Sequence, residues 1–146
     1  MENLKTQVET DFQLTTEIKV EWRHMDAVGH VHNVQYFGYF ETCRIAFFEA
    51  LNFNVAPHNA VGVVVAKVDC KYIYPVTYPD TIIGGIRYIE HGKYHINIEI
   101  HLFSTKYNRI VAISNQKLVF YHFGIKLKAK MPDDFLKQLG TIFSRQ

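Results

Sequence analysis

The chain has 146 residues, of which 48% are hydrophobic, and a formal net charge of +2 at pH 7. Domains commonly hold about 100–150 residues, so we expect residues 1–146 to form a single domain. The small net charge argues against a nucleic-acid partner, and the one group of lysines, at Lys126, Lys128 and Lys130, is typical of a solvated face. A small anionic ligand remains compatible with this composition.

Neither a membrane segment nor a metal-binding cysteine cluster is predicted. No stretch approaches the roughly 18 apolar residues that span a bilayer, and the first ten residues lack the apolar run of a secretory signal. Cys43 and Cys70 each fall within a predicted element and have no neighbouring cysteine that would indicate zinc or a redox pair. We expect a soluble, cytoplasmic protein that uses no cofactor.

The first half of the chain predicts one strand and one long helix. Residues 1–12 are polar and are predicted to be frayed. Apolar and polar side chains alternate over residues 12–22, which indicates a strand with one buried face. After a short loop, residues 33–51 carry apolar side chains at helical spacing over about half of the circumference. Asn33 or His32 is the predicted N-cap of this helix.

Strand patterns dominate the second half of the chain. The predicted strands cover residues 61–74, 81–90, 94–105 and 109–123. Pro132 and the two acids that follow it predict the start of a closing helix. Two histidines, His95 and His101, alternate with apolar residues on an outer strand face, but no third ligand has the spacing of a zinc site. No metal site is predicted.

The order of these elements predicts an α+β fold. Strands that are joined by short turns pair antiparallel. One face of such a sheet must be covered, and the helix at residues 33–51 is the only element long enough to cover it. We therefore expect a long central helix wrapped by a five-stranded antiparallel sheet.

Two short motifs mark the loop before the helix and the end of the second predicted strand. The first reads D-x-x-G-H-V-x-N-x-x-Y, with Asp26, Gly29, His30, Val31, Asn33 and Tyr36, and Glu41 follows on the helix. The second comprises Tyr72, Pro75, Tyr78 and Asp80. With the element order, these motifs resemble the hotdog-fold acyl-CoA thioesterases of the 4-hydroxybenzoyl-CoA thioesterase family over residues 12–123. His32 departs from the pattern, since relatives often have Asn there.

The resemblance implies an acyl-CoA thioesterase mechanism. Asp26 would act as general base on water or as nucleophile on the thioester carbon, and the Asn33 backbone N–H would polarise the carbonyl. Free N–H donors and the helix dipole favour negative charge where an oxyanion develops. His30 is the third catalytic candidate, placed near the carbonyl or positioning the loop. The candidate substrate-binding residues are Gly29, Val31, Tyr36 and Glu41.

Each of these residues also has a structural interpretation. An Asp ahead of a helix is frequently a turn residue, and His30 can serve the loop alone. Tyr36 is first of all a core residue. Glu41 could carry the catalytic carboxylate instead of Asp26, as in some hotdog thioesterases, or it could be a solvated helix residue, or it could pair with Arg44.

Two other functions and an assembly follow from the same resemblance. The substrate could be an acyl group on a carrier protein instead of CoA, or the chain could be a non-catalytic acyl-CoA-binding protein. A dehydratase is less compatible, because no H-F-P segment occurs. An unpaired sheet edge invites association, and the family typically dimerises edge to edge with active sites between subunits, so a homodimer or homotetramer is expected.

Overall fold

The computed structural model describes residues 3–54 and 61–143. Its elements in chain order are α1 (Leu4–Asp11), β1 (Leu14–Lys19), a 3₁₀ helix (Trp22–His24), α2 (Gln35–Ala50), β2 (Val61–Val68), β3 (Lys71–Tyr72), β4 (Thr81–His91), β5 (His95–Ser104), β6 (Arg109–His122), β7 (Leu127–Lys128) and α3 (Asp133–Phe143). This is the predicted α+β hotdog architecture, with three helices and an antiparallel sheet.

The sheet runs in the order β1-β4-β5-β6-β2, and every pairing is antiparallel. These five long strands are the five that the sequence predicts. The two-residue strands β3 and β7 also pair with β6, and they were not predicted. The strand predicted over residues 61–74 is therefore divided: the register shifts between Val65 and Lys67, and Asp69 bonds the Asn115 backbone before β3 begins.

Helix α2 lies on the inner face of the sheet and supplies the centre of the core. Its buried side chains are Tyr36, Tyr39, Phe40, Cys43, Phe47 and Phe48. They pack against alternate residues of the sheet, such as Ile98, Ile100 and Leu102 of β5. The predicted apolar face of the helix is thus the buried one, because a period of 3.6 residues places these positions on one side.

Helix α2 begins two residues later than predicted. Val34 is its N-cap and makes no side-chain capping bond. The N–H of Val34 instead donates to His32 Nδ1 at 3.1 Å. Of the two predicted caps, His32 is the one whose side chain accepts a backbone hydrogen bond at the start of the helix. Asn33 lies in the turn that precedes the helix.

The N-terminal segment is helical, so the prediction of a frayed terminus is wrong for its described residues. Asn3 caps α1 by accepting a bond from the Thr6 N–H at 2.8 Å. Val8 and Phe12 form a second apolar cluster with Ile83 of β4. A helix with one fully buried side chain leaves little periodicity in the sequence, which is why it was missed.

The first strand also ends earlier than predicted. β1 stops at Lys19, and Trp22 opens the 3₁₀ helix, where its side chain is 75% exposed. The alternation that assigns Trp22 to the buried face does not hold here. His24 is buried in its place, at 7% exposure. None of the helices in residues 3–54 and 61–143 has both the length and the apolar character needed to span a membrane.

Gly84 of β4 lies directly against Cys43 of helix α2. A methyl group on Gly84 would overlap the Cys43 sulfur. Overpacking a tight core contact costs roughly 1–3 kcal/mol, so we expect Gly84→Ala to lower the free energy of unfolding by about that amount. Urea denaturation followed by circular dichroism measures it. Adding Cys43→Ala should recover part of the loss, because it removes the overlapping atom.

The control for this prediction is Gly140→Ala in α3, where an added methyl meets no atom within 4 Å. Because Ala favours a helix over Gly by roughly 1 kcal/mol, this variant should keep or raise the stability. Equal losses in Gly84→Ala and Gly140→Ala would contradict the close packing of β4 on α2.

Candidate active site

Asp26 lies in a short loop that closes on itself between the 3₁₀ helix and α2. Met25 and Val31 form an isolated antiparallel bridge at the ends of the loop. The Asp26 N–H donates to the His30 carbonyl at 2.7 Å, and the Gly29 N–H donates to the Asp26 carbonyl at 3.2 Å. Gly29 has φ +91°, a conformation that side-chain-bearing residues rarely adopt. The loop therefore requires a glycine there.

The Asp26 side chain is held by the backbone of its own loop. Its Oδ1 accepts from the Val28 N–H at 2.9 Å and from the His30 N–H at 3.2 Å. Backbone N–H groups, that of His30 foremost, hold the pKa of Asp26 below its ordinary value. Within residues 3–54 and 61–143, Oδ2 makes no such bond. Asp26 is thus an oriented carboxylate that is ionised at neutral pH and has one oxygen available.

The turn that leads into α2 leaves one amide without a partner. The N–H groups of His32, Val34 and Gln35 all donate hydrogen bonds, to the His24 carbonyl, His32 Nδ1 and the His32 carbonyl respectively. The Asn33 N–H donates none to any residue that the structure describes. An unpaired N–H at the start of a helix is a donor for an anion or a polarised carbonyl oxygen.

Asp26 and Asn33 share one cleft of about 310 Å³. The residues that line it are Asp26, His30, Val31, Asn33, Tyr36, Tyr72, Ile73, Tyr74 and Pro75. The structure therefore brings together five of the seven predicted site residues. Gly29 is not on the cleft wall but shapes the loop that carries Asp26.

Glu41 lies apart from this cleft in the single chain. It is exposed on α2 and borders a separate depression of about 260 Å³ between α2 and β2. Arg44 lines the same depression and donates to Gln116 Oε1 at 3.2 Å. The alternative ion pair between Glu41 and Arg44 does not occur in the part of the chain that the structure describes.

The wall opposite Asp26 comes from the segment that follows β2. Tyr72 of β3 and Tyr74 line the cleft there, and the Tyr72 ring meets the Tyr36 ring edge-on, with centroids 5.0 Å apart. Tyr72 and Pro75 belong to the second motif, but their spacing in the sequence did not predict that they line the site. Burial raises the pKa of Tyr36 to about 12, so its phenol is neutral at pH 7.

His24 anchors the loop from the protein interior. Its Nδ1 accepts from the Glu21 N–H at 3.1 Å and lies 2.9 Å from the Tyr39 hydroxyl, while its Nε2 lies 3.1 Å from Glu21 Oε2. The ring therefore ties the 3₁₀ helix to α2 immediately ahead of Asp26. The motif gave no signal for this residue, because its partners are set by the fold.

No group of three or more His, Cys, Asp or Glu side chains in the described residues could hold a metal ion. His101 bonds Glu99, and the two side chains lie with Arg87 and Phe12 on the outer face of the sheet. This histidine thus has a carboxylate partner, but within the described residues the two belong to no group of three that could hold a metal ion.

Comparison with known proteins places this chain among the thioesterase-like proteins. The family model of the thioesterase-like superfamily matches residues 20–139. The Bacillus subtilis (strain 168) protein YsmA is 34% identical over 67 residues, which are 46% of this chain and 45% of YsmA. The matched region thus spans less than half of that curated relative.

Two solved structures have the same fold over nearly their whole length. PA2801 of Pseudomonas aeruginosa, a candidate thioesterase, is 28% identical with a TM-score of 0.80, covering 88% of this chain and 98% of that one. A Thermus thermophilus thioesterase in complex with coenzyme A and Zn is 23% identical with a TM-score of 0.80, covering 92% and 98%.

The lowered pKa of Asp26 predicts a pH-dependent contribution to stability. A carboxyl group whose pKa is lower in the folded than in the unfolded state stabilises the protein above the unfolded value. This contribution is lost as the pH falls through the folded value. Asp26→Asn keeps an acceptor oxygen but no charge. The advantage of the wild type over Asp26→Asn should be complete above about pH 5 and shrink below it.

Urea denaturation of both proteins between pH 7 and pH 3 measures this difference. Other titrating groups are common to the two chains, so their effects largely cancel in the comparison. A difference that stays constant down to pH 3 would contradict the charge-stabilised loop.

Proposed function

The chain belongs to the thioesterase-like superfamily, and we propose that it hydrolyses the thioester of an acyl-CoA to a free acid and CoA. The observation that carries this proposal is one cleft lined both by Asp26, whose ionised carboxylate is oriented by its loop, and by Asn33, whose N–H has no partner among the described residues. A thioester hydrolase needs these two elements, one to activate the attacking oxygen and one to polarise the carbonyl.

In the proposed reaction, Asp26 accepts a proton from water as the water oxygen attacks the thioester carbon. The carbonyl oxygen gains negative charge, which the Asn33 N–H and the N-terminal end of α2 stabilise. The C–S bond then breaks, the acid is released, and the CoA sulfur takes up the proton. Alternatively, Asp26 attacks the carbon itself and water hydrolyses the resulting anhydride. Both routes use the same two groups.

The remaining cleft residues have supporting roles in this proposal. His30 borders the cleft next to Asp26, where its ring can contact the acyl carbonyl, and Val31 and Tyr36 contact the substrate. Gly29 permits the turn that orients the carboxylate. The substrate class accords with the relatives, of which the Thermus thermophilus thioesterase binds coenzyme A.

We further propose that the active form is a homodimer built on the edge of β2. In the described residues, β2 pairs only with β6, which leaves its other edge open. Val65 on this strand and Ile45 on α2 are exposed apolar side chains that border the Glu41 depression. A second copy at this edge would cover them and bring its own Glu41 to the subunit boundary. Pairs of dimers would give a homotetramer.

Substitution of Asp26 tests the function. We expect Asp26→Asn to lower kcat by a factor of roughly 10²–10⁴, the usual contribution of a positioned acid–base group. Its shape and loop hydrogen bonds are retained, so the fold should be unchanged. The measurement is titration of the released CoA thiol over a panel of acyl-CoAs, with acyl-carrier-protein substrates in parallel. Far-ultraviolet circular dichroism checks the fold.

The matched control is Asp134→Asn, which removes an exposed carboxylate from the first turn of α3 and should retain wild-type kcat. Glu41→Gln tests the alternative that the catalytic carboxylate lies on the helix. Loss of turnover in this variant, and not in Asp26→Asn, would identify Glu41 as the catalytic carboxylate. Binding of acyl-CoA without turnover by the wild type would assign a non-catalytic role to the chain.

The assembly is tested by light scattering of the purified protein. We expect a particle of twice or four times the 17.0 kDa chain mass. Val65→Asp places a charge on the open edge and should shift the equilibrium towards the monomer, because a buried unpaired charge opposes association. A wild-type protein that is monomeric at micromolar concentration and still active would exclude a site that needs two subunits.

A further inference from the structure

Tyr72 makes a specific contact with the turn that precedes α2. β3 holds its backbone, because Tyr72 pairs with Ala112 of β6. From there the phenol reaches across the cleft, and its hydroxyl donates to the Asn33 carbonyl oxygen at 3.0 Å. This hydrogen bond joins two walls of the cleft that lie far apart in sequence.

The Tyr72 ring is fixed from a second direction. It meets the Tyr36 ring edge-on at 5.0 Å with an interplanar angle of 84°, a favoured arrangement for aromatic pairs. Tyr36 itself is buried at the start of α2. Partial burial also raises the pKa of Tyr72, so its hydroxyl carries the proton that it donates at neutral pH.

In the described residues, most hydrogen bonds of this turn are made by the residues on either side of Asn33, since the N–H groups of His32, Val34 and Gln35 are all paired. The helix has no side-chain N-cap bond. The other donor to the Asn33 carbonyl is the Tyr36 N–H, at a long 3.4 Å. The Tyr72 hydroxyl therefore supplies the shorter of the two hydrogen bonds that the Asn33 carbonyl accepts in the described residues.

We propose that Tyr72 is a positioning residue for thioester hydrolysis, whose hydroxyl bond to the Asn33 carbonyl restrains residue 33 at the cleft. The Gln35 N–H holds the preceding peptide group, which carries the Asn33 N–H, through the His32 carbonyl. This inference rests on the proposed function of the same site. A donor to a developing oxyanion stabilises it best when it is already oriented and needs no reorganisation. Tyr72 acts through Asn33, so its effect falls on the chemical step more than on substrate binding.

Tyr72→Phe is the decisive variant, because it removes one hydroxyl and keeps the ring contact with Tyr36. We expect kcat with an acyl-CoA substrate to fall roughly fivefold, the effect of one lost neutral hydrogen bond, while KM stays within twofold. The thermal midpoint should fall by no more than about 4 °C, the effect of one hydrogen bond in a chain of this size. Tyr94→Phe is the matched control. Tyr94 is 39% exposed, lies outside the cleft, and should give wild-type kinetics.

A second measurement is independent of turnover. In amide NMR spectra of the free protein, Tyr72→Phe should shift the Asn33 signal and speed hydrogen exchange at the Tyr36 N–H roughly fivefold, because residue 33, which carries the acceptor of that amide, is then less restrained. Tyr94→Phe should leave both unchanged. This readout separates the two proposals: a wild type without hydrolysis refutes the proposed function, whereas unchanged Asn33 and Tyr36 amides in Tyr72→Phe refute the positioning role.

The kinetic outcomes also decide. A lower kcat with altered Asn33 and Tyr36 amides supports the inference. A raised KM with unchanged kcat would make Tyr72 a substrate-contacting residue and overturn it. An unchanged kcat in an active enzyme overturns it as well.

Discussion

The site depends on the burial of α2 against the inner face of the sheet. Phe40 and Phe47 are fully buried there, and at roughly 25 cal/mol per Å² each such side chain contributes strongly to folding. Because the middle of the helix is enclosed, its N-terminal turn must emerge at the margin of the sheet. The loop with Asp26 and the segment after β2 meet it at that margin. The cleft therefore lies beside the start of the helix, and its lining includes both Asp26 and Asn33, whose N–H has no partner in the described residues.

Elements with strong periodicity were predictable from the sequence. Strand β5 alternates between buried residues, most of them isoleucines, and half-buried residues, most of them polar, and helix α2 repeats its aromatic side chains on one face. Both patterns follow from local geometry alone. Helix α1 and the exposed Trp22 were not predictable in this way. A single buried Val8 carries little periodicity, and the early end of β1 is set by contacts of the 3₁₀ helix with α2.

In the candidate site as well, local contacts were predictable from the sequence and contacts between distant segments were not. The loop from Asp26 to His30 forms its hydrogen bonds with itself, so a short motif contains nearly all of the information that specifies it. The contacts of His24 and Tyr72 instead join segments that are distant in sequence, to Tyr39 and to Asn33. Contacts of this kind cannot be predicted from the pattern of a single sequence. The sequence also predicted that Glu41 lies on the helix, but it could not predict that Glu41 lies outside the Asp26 cleft.

The exposure of Trp22 has a spectroscopic consequence. It is the only tryptophan in the chain, and its ring lies in water at the entrance to the Asp26 loop, apart from the aromatic core. The indole emission of the native protein should therefore resemble that of an unfolded peptide. Intrinsic fluorescence excited at the tryptophan band will report on events at the loop and will respond weakly to the loss of the core.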